Sequence, residues 1–412
     1  MLFLLLYLLV LLCATALSLL NIRHLRRHGG EVPPAFAGAI DAGTLARTSA
    51  YTREVNRAGL VESLVDSALL LLFVFGGVLP WYDRWIAGFT DSFVGGGLLF
   101  FLGLFLAKTA IGLPFTLFRT FHIENRYGFN TTTPRLWLSD TLKSLLLSLP
   151  LLGILLGAAL WLVQASPGFW WFWVWAFLAF FTILLMYISP YLIEPLFFKF
   201  EPLENESLEA AVKTLTDRAG LAVSRVFRVD ASRRSRHSNA YFSGLGRVKR
   251  IVLFDTLLEQ MEEREILAVL AHEVGHWRLR HILKRLLGMQ VILLLAAWLA
   301  AYLIGRGGLP QLVGLEAVSF SGQLAILSFL AGLVAFPLSP LGSALSRRHE
   351  WQADRFASEL TGRPQDLASA LVRMARENLA NLHPHPLYAW FHYSHPPLVE
   401  RVEKLRIAAP SE

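Results

Sequence analysis

The chain has 412 residues, of which 54% are hydrophobic and 17% are charged, and its formal net charge is +7. Soluble domains carry about 25% charged residues, so this composition excludes a water-soluble globular protein, and its many aromatic side chains exclude a disordered chain. The single cysteine excludes both a disulfide within the chain and a metal site built from thiolates. We therefore expect a polytopic membrane protein.

Seven segments contain about the 20 apolar residues that a helix needs to cross the hydrocarbon core. They cover residues 2–20, 64–81, 93–118, 144–163, 169–188, 286–304 and 320–341. The third segment contains Lys108, whose charge must face protein or water rather than lipid. The seventh is the weakest candidate, because Pro337 and Pro340 are expected to interrupt its helix.

The arginines after the first segment predict the orientation of the chain. A secretory signal peptide begins with basic residues, whereas Arg23, Arg26 and Arg27 follow the apolar segment, so we expect an uncleaved anchor with its N-terminus outside. Seven spans then place two polar blocks, residues 199–285 and 346–412, in the cytoplasm, where an excess of Lys and Arg is expected. This bias accounts for the positive charge without a nucleic-acid partner.

The first polar block predicts a small β-structure followed by a helix. Residues 224–230 are typical of a short strand, and residues 239–242 and 250–254 flank a Ser-Gly-Leu-Gly-Arg turn that indicates a β-hairpin. The helix is predicted to begin near residues 262–265, where acidic side chains suit the positive end of the helix dipole.

That helix carries the sequence His272-Glu273-Val274-Gly275-His276. The spacing of four residues puts both imidazoles on one helical face, where they can share a zinc ion, with Glu273 beside the position of a water molecule. A chain of this composition contains such a match by chance about 0.02 times. The motif therefore predicts a zinc protease site.

A hydrolytic zinc site needs a third protein ligand and an open position. Glu350 and Asp354, again four residues apart, offer two carboxylates on one face of a predicted helix. A Glu ligand can complete the zinc shell, and a carboxylate one turn further on can accept the free N–H of a zinc-bound histidine. The alternative interpretation of these two acids is a surface helix with a mixed-charge face.

Further motifs accompany this pair in a fixed order. They are ENRYGFN at 124–130, PYLIEP at 190–195, SNAYF at 238–242, VLFDT at 252–256, HEVGHW at 272–277, EWQAD at 350–354 and YSHPPL at 393–398. The set resembles the type I CAAX prenyl proteases, seven-span membrane zinc metalloproteases whose yeast member matures a-factor. The resemblance covers nearly the whole chain, and Val274, where the family usually has Leu, departs from it without consequence for the chemistry.

The resemblance implies a role for each residue of the predicted zinc site. His272, His276 and Glu350 are expected to bind zinc, and Glu273 is expected to polarise the attacking water, whose pKa the metal lowers. Asp354 matches an acid that is described either as a proton donor or as the partner of a ligand histidine. Both roles stay open at this point.

The resemblance also implies residues that contact the substrate. His395 is expected to help to stabilise the oxyanion, with Arg401 nearby, and the alternative for His395 is a cap before two prolines. Asn239 and Tyr241 match the family's edge strand, which would hold the substrate backbone by strand addition. The alternative for these two residues is an ordinary hairpin strand.

The fold that the resemblance implies is an all-α polytopic membrane protein, with seven transmembrane helices in an α-barrel around a chamber lined by residues such as Lys108. A zincin-like metalloprotease domain with a small β-hairpin or sheet completes it. We divide the chain into an N-terminal membrane region, residues 1–198, and a peptidase domain, residues 199–412. Two spans, at about 286–304 and 320–341, are inserted in the second.

The predicted function is hydrolysis of peptide bonds by a zinc-activated water, by family analogy near the C-terminus of prenylated CAAX-type proteins. We expect one zinc ion per chain, a peptide or protein substrate with or without a lipid, a lipid bilayer and a monomer. The active site is expected to face the cytoplasm, from a bacterial inner membrane or an endoplasmic reticulum membrane.

Three other functions compete with this prediction. One is a heat-shock-type protease for quality control of membrane proteins, and another, of a different class, is a non-enzymatic channel or transporter with a relic zinc site. An intramembrane site-two type protease is disfavoured, because the charged residues that bracket the zinc motif cannot lie in hydrocarbon.

Overall fold

The computed structural model describes residues 1–221, 225–243 and 250–408. The helices of the first half are α1 (Leu2–His28), α2 (Ala42–Phe75), α3 (Val78–Ala87), α4 (Phe93–Phe118), α5 (Pro134–Ala165), α6 (Trp170–Ile188) and α7 (Glu194–Phe197). Those of the second half are α8 (Glu206–Arg218), α9 (Asp255–Gln260), α10 (Glu263–Arg278), α11 (His281–Arg306), α12 (Leu309–Leu312), α13 (Phe320–Thr361), α14 (Pro364–Glu377), α15 (Pro386–His392) and α16 (Leu398–Ile407). The strands are β1 (Phe200–Pro202), β2 (Arg225–Val229), β3 (Ala240–Ser243) and β4 (Arg250–Phe254).

Seven helices in these ranges are long and apolar enough to cross a membrane, which confirms the predicted number of spans. They are α1, α2, α4, α5, α6, α11 and α13, and each packs against the next in this order, with α3 between α2 and α4. Helix α13 returns to α1, so the ring closes as an α-barrel. The protein is an integral membrane protein with several spans.

The second span ends earlier than predicted, because two glycines stop α2. The helix begins after Asp41, whose carboxylate accepts the Thr44 N–H at 2.8 Å, and it ends at Phe75 rather than at residue 81. Gly77 has a φ of +81°, a left-handed conformation that residues with a Cβ rarely adopt. The chain therefore turns there into α3. Because the residues on both sides of the turn are apolar, the predicted span continued through it.

The seventh span is one unbroken helix, so the predicted interruption at Pro337 and Pro340 is wrong. Pro340 lacks the N–H that would bond to the carbonyl oxygen of Phe336, and the Ser339 hydroxyl donates to that oxygen instead, at 2.8 Å. Neighbouring hydroxyls commonly satisfy carbonyls that proline frees in membrane helices. Helix α13 consequently runs for 42 residues, from the membrane span to the predicted ligand Glu350 and beyond.

A four-stranded sheet of order β1-β2-β4-β3 forms in the first polar block. Strands β2 and β4 are parallel, whereas β1 and β3 are antiparallel to their neighbours. Strands β2, β3 and β4 confirm the three predicted strands, while residue 224 and the turn predicted at residues 244–247 lie outside the described residues. Because β3 is an edge strand, its outer side offers backbone groups to an added strand.

Charged pairs connect α2 with α4 and the π-helical segment that continues α4. Lys108 Nζ lies 2.5 Å from Asp66 Oδ1, and Arg119 Nη2 lies 3.0 Å from Glu62 Oε2. Charges at membrane depth must face protein or water, so a protein partner for Lys108 agrees with its predicted environment.

Helices α10 and α13 cross closely at a glycine. A Cβ atom placed on Gly275 would lie 3.1 Å from the Ala353 Cα atom and 3.3 Å from the Ala353 carbonyl oxygen. The missing side chain therefore lets α10 lie on the backbone of α13. On another face of α10, Ile266 and Leu270 are buried in the hydrophobic core. The crossing consequently sets the distances between polar side chains of the two helices.

We expect Gly275→Val to force α10 away from α13 and to lower the free energy of unfolding by about 1–3 kcal/mol, the usual cost of overpacking. The control is Gly288→Val in α11, where an added Cβ meets no atom within 4 Å. Thermal unfolding of both variants in one detergent measures the difference. Equal melting temperatures would show that the crossing tolerates a side chain.

Candidate metal centre

Helix α10 presents His272, Glu273 and His276 at its crossing with α13. The helix begins with a capping box: the Glu262 side chain accepts the Glu265 N–H, and the Glu265 side chain accepts the Glu262 N–H at 3.0 Å. This start agrees with the predicted one. The apolar side of α10 is buried in the core, so the polar motif lies on the other side, next to α13.

Three side chains converge with the spacing of metal ligands. His272 Nε2 lies 3.2 Å from His276 Nε2, and the Glu350 oxygens lie 3.4 Å from His272 Nε2 and 3.3 Å from His276 Nε2. Ligand atoms at about 2.0–2.1 Å from a tetrahedral zinc ion are about 3.3 Å apart, so these separations fit such an ion. Within the described ranges, this is the one group of metal-ligating side chains that lies so close together.

The surroundings of Glu350 also fit a metal ion. Its side chain is buried, and none of the described residues donates a hydrogen bond to Oε2. A buried carboxylate oxygen without a hydrogen-bond donor is costly, and a bound metal ion would offset this cost. Two imidazoles and one carboxylate form a donor set that suits zinc and related transition metals. The chemistry of the donors and their burial therefore agree.

The imidazole of His272 contacts an ion pair between Asp354 and Arg401 through its Nδ1 atom. Its Nδ1 lies 2.8 Å from Asp354 Oδ1, and Arg401 donates to both oxygens of Asp354 at 2.9 and 2.6 Å. Arg401 Nη1 also lies 3.6 Å from Glu350 Oε2, and these side chains are all buried. Burial alone would lower the pKa of His272, but the two carboxylates outweigh burial and raise this pKa to about 9.

His276 has a neutral partner that the sequence analysis missed. Its Nδ1 lies 3.0 Å from Nδ1 of the buried His281, and His281 Nε2 lies 2.9 Å from Gln352 Oε1. Because the amide oxygen only accepts, His281 donates from Nε2 and accepts from His276 at Nδ1, which leaves His276 Nε2 for a metal. The only sequence signal was a third histidine, five residues after His276.

A cavity of about 540 Å³ opens beside the donor atoms. It brings together most of the predicted site residues, namely Asn239, His272, Glu273, Glu350, His395 and Arg401. His395 Nε2 lies 3.4 Å from Glu350 Oε1, and its side chain is 62% exposed, so it reaches the metal centre from the open side. Burial raises the pKa of the Glu273 carboxyl, and the nearby Glu350 adds to this effect against the opposing charges of the histidines.

Tyr241 is the predicted site residue that the structure connects to the membrane region instead. Its hydroxyl donates to Glu194 Oε2 at 2.9 Å, near the end of the fifth span. Asn239, immediately before the same strand, does border the cavity. Tyr241 therefore fixes the position of β3 relative to the membrane.

A second, half-buried network joins the membrane region to the cavity. Glu124 accepts from the Tyr51 hydroxyl at 2.8 Å and lies 3.2 Å from His237 Nε2, through its other oxygen. His237 Nδ1 lies 3.1 Å from Oδ1 of Asn378, which lines the cavity. The partners of His237 are 113 and 141 residues away along the chain, so no local pattern indicated this network.

Comparison with known proteins covers both halves of the chain. The family model for the CAAX prenyl protease N-terminal region, with five membrane helices, matches residues 21–199, and that for peptidase family M48 matches residues 202–409. CAAX prenyl protease 1 homolog of Arabidopsis thaliana is 34% identical over 91% of this chain and 90% of its own, and CAAX prenyl protease 1 of Saccharomyces cerevisiae is 33% identical over 91% and 88%. The crystal structure of S. mikatae Ste24p matches with a TM-score of 0.90 and 30% identity, over 97% of both chains.

Replacing His281 with Phe removes the acceptor for the His276 Nδ1–H while keeping a ring in place. We expect the affinity for zinc to fall 10–100-fold, which is about the usual effect of losing such a partner. Competition with a chromogenic chelator measures this affinity. The control is His349→Phe. The His349 ring stacks on that of His281, with ring centroids 4.1 Å apart, but its Nδ1 has no hydrogen-bond partner among the described residues. Equal affinities of the two variants would contradict the role of His281.

The raised pKa of His272 predicts how the stability of chelator-treated, metal-free protein depends on pH. Protonated His272 stabilises the folded state fully below its unfolded pKa of 6.5, and this contribution is lost as the pH rises through about 9. We expect a loss on the order of 3 kcal/mol across this window. Zinc-loaded protein should lack this slope, because His272 must be neutral to bind the metal.

Chemical unfolding between pH 6 and 10 measures this dependence. The matched control is metal-free His272→Gln, which should show no loss from this source. A wild-type curve as flat as that of the variant would disprove the shifted ionisation.

Proposed function

Because the chain belongs to peptidase family M48 and within it to the CAAX prenyl proteases, we propose that it hydrolyses peptide bonds near the C-terminus of proteins that end in Cys-aliphatic-aliphatic-X. The chain is a membrane metallopeptidase. The observation that carries the proposal is the convergence of His272, His276 and Glu350 within 3.4 Å of one another, beside an edge strand.

We propose zinc as the metal, one ion per chain, bound by His272, His276 and Glu350. Two histidines and one glutamate are the ligands of hydrolytic zinc sites that keep a fourth position open. When bound, zinc supplies the Lewis acid that polarises the scissile carbonyl and lowers the pKa of the attacking water. The measured donor separations and the buried, undonated oxygen of Glu350 support this assignment.

Glu273 is the proposed general base. It lines the same cavity as the donors, and its raised pKa brings the carboxyl closer to the working pH, where a group transfers protons in both directions most effectively. Glu273 takes a proton from the attacking water and then donates it to the leaving amine. Hydrolysis therefore returns this carboxylate to its starting state.

We assign Asp354 to positioning rather than to proton donation. Its two oxygens are engaged by His272 and Arg401, behind the metal donors, so it fixes the tautomer of His272 and faces no substrate. Arg401, which also borders the cavity, neutralises Asp354 and Glu350. His395, on the exposed side, is placed to donate a hydrogen bond to the oxyanion that develops on the scissile carbonyl.

The peptide substrate binds along β3 in this proposal. An extended peptide adds to an exposed strand edge through backbone hydrogen bonds, and the start of β3 borders the cavity through Ala240 and the preceding Asn239. Tyr241 contributes indirectly, because its bond to Glu194 holds the strand in place. Backbone hydrogen bonds to β3 would bind the C-terminal segment of a substrate without requiring a specific side chain at every position.

We further propose a monomer whose peptidase domain, residues 199–412, faces the cytoplasm, with residues 1–198 as the membrane region. The basic loops that follow the first and third spans support this orientation. The bilayer is a bacterial inner membrane or an endoplasmic reticulum membrane, and the substrate reaches the site from the cytoplasmic side.

The test uses one C-terminal peptide in farnesylated and unlipidated forms. We expect the purified protein to cleave the farnesylated form, and Glu273→Gln to reduce kcat on the order of 10²–10⁴-fold while retaining one zinc per chain. The control is Glu263→Gln, an exposed acid in the first turn of the same helix.

Zinc content by mass spectrometry and product analysis by chromatography are the readouts. Full activity in Glu273→Gln would contradict the mechanism. Equal cleavage of both peptides would show that the lipid does not contribute to specificity. It would favour the alternative function, a peptidase of quality-control type.

A further inference from the structure

A second cavity, of about 580 Å³, lies on the side of the metal centre where α10 gives way to α11. Eight of its twelve lining residues are apolar, among them Met186 of α6, Phe242 of β3, and Leu283 and Leu286 of α11. The volume lies within the range of about 300–1,000 Å³ that is typical of small-molecule sites. This cavity differs in character from the catalytic cleft, about half of whose lining residues are polar or charged.

The two cavities border neighbouring residues of the same two elements, α10 and β3. His272 and Ala240 border the catalytic cleft, whereas His276, one helical turn further on, and Phe242, two residues further along β3, border the apolar cavity. A peptide bound along β3 therefore extends from one cavity into the other as it passes the metal donors. A group attached beside the scissile bond reaches the apolar cavity directly.

The apolar cavity is also placed at the membrane. Its walls come from the last turn of α6 and the first turns of α11, which are both spans. Arg280, with a φ of 57°, turns the chain between α10 and α11. Ile282 and Leu283, at the start of α11, are 41% and 45% exposed, so the cavity has an apolar entrance.

We propose that this cavity is the subsite for the isoprenoid chain on the cysteine of the substrate. The inference rests on the proposed function, and it assigns the lipid specificity to α6 and α11 rather than to the catalytic cleft. An isoprenoid is apolar, so its transfer into this cavity is favoured by the hydrophobic effect. The cleft on the other side of the metal then receives the residues that follow the cysteine. An acyl chain of a membrane lipid has the same chemistry, and the test separates the two.

The test is a substitution that fills the cavity. Leu286→Trp adds bulk inside it, and Met186→Trp does so from α6, which guards against a folding defect in one variant. The readout is the preference for farnesylated over unlipidated peptide, which is the ratio of the two kcat/KM values. We expect both variants to reduce this ratio at least tenfold, mainly through a higher KM for the farnesylated peptide.

The matched control is Leu287→Trp, the next residue of α11, which is 58% exposed and lies outside the cavity. It should keep the wild-type ratio. An unchanged ratio in both cavity variants would overturn the proposal. If the ratio is unchanged because both peptides lose activity equally, the result is the one expected when a membrane lipid fills the cavity. Failure of the proposed function is a separate outcome, because the wild-type protein would then cleave neither peptide.

Photocrosslinking provides a measurement that does not depend on turnover. A farnesylated peptide with a diazirine on its isoprenoid is bound to Glu273→Gln protein, irradiated and mapped by mass spectrometry. We expect labels in residues 185–194 and 277–286. Labels in residues 367–381, which line the catalytic cleft, would overturn the assignment.

Discussion

Helices α10 and α13 cross at Gly275, and the absence of a side chain there lets the backbone at Ala353 approach closely. Each helix alone carries an incomplete set of metal donors, because the two imidazoles come from α10 and the carboxylate comes from α13. The short crossing distance brings their donor atoms to 3.2–3.4 Å from one another. Since α13 is also a membrane span, the same contact joins the peptidase core to the barrel.

The two histidines of the centre are supported in different ways. Behind His272 lies a buried ion pair between Asp354 and Arg401, whereas behind His276 lies a neutral chain through His281 to Gln352. A buried ion pair costs desolvation and depends on complete hydrogen bonding, which Arg401 achieves by contacting both oxygens. The hydrogen-bonded series from His276 through His281 to Gln352 adds no charge. Arg401 comes from α16, so the C-terminal helix is part of the support of the centre.

The spans and the zinc motif were predictable, because both depend on local spacing. Twenty apolar residues make a span wherever they occur, and the four-residue spacing of His272 and His276 decides which face they share. The errors arose where a neighbour satisfies the backbone, as Ser339 does for Pro340, or where apolar residues flank a turn, as at Gly77.

Long-range partners were not predictable from the sequence. The contacts of His237 with Glu124 and of Tyr241 with Glu194 depend on how the membrane region packs on the sheet, which no local pattern encodes. The unbroken α13 has its own consequence, because at about 1.5 Å per residue its 42 residues form a rod of roughly 60 Å. Hydrophobic mismatch tilts a span, and because Glu350 lies on the same continuous helix, we expect a tilt of the membrane half of α13 to act on the metal centre. We therefore expect the thickness of the surrounding bilayer to affect the geometry of the metal centre.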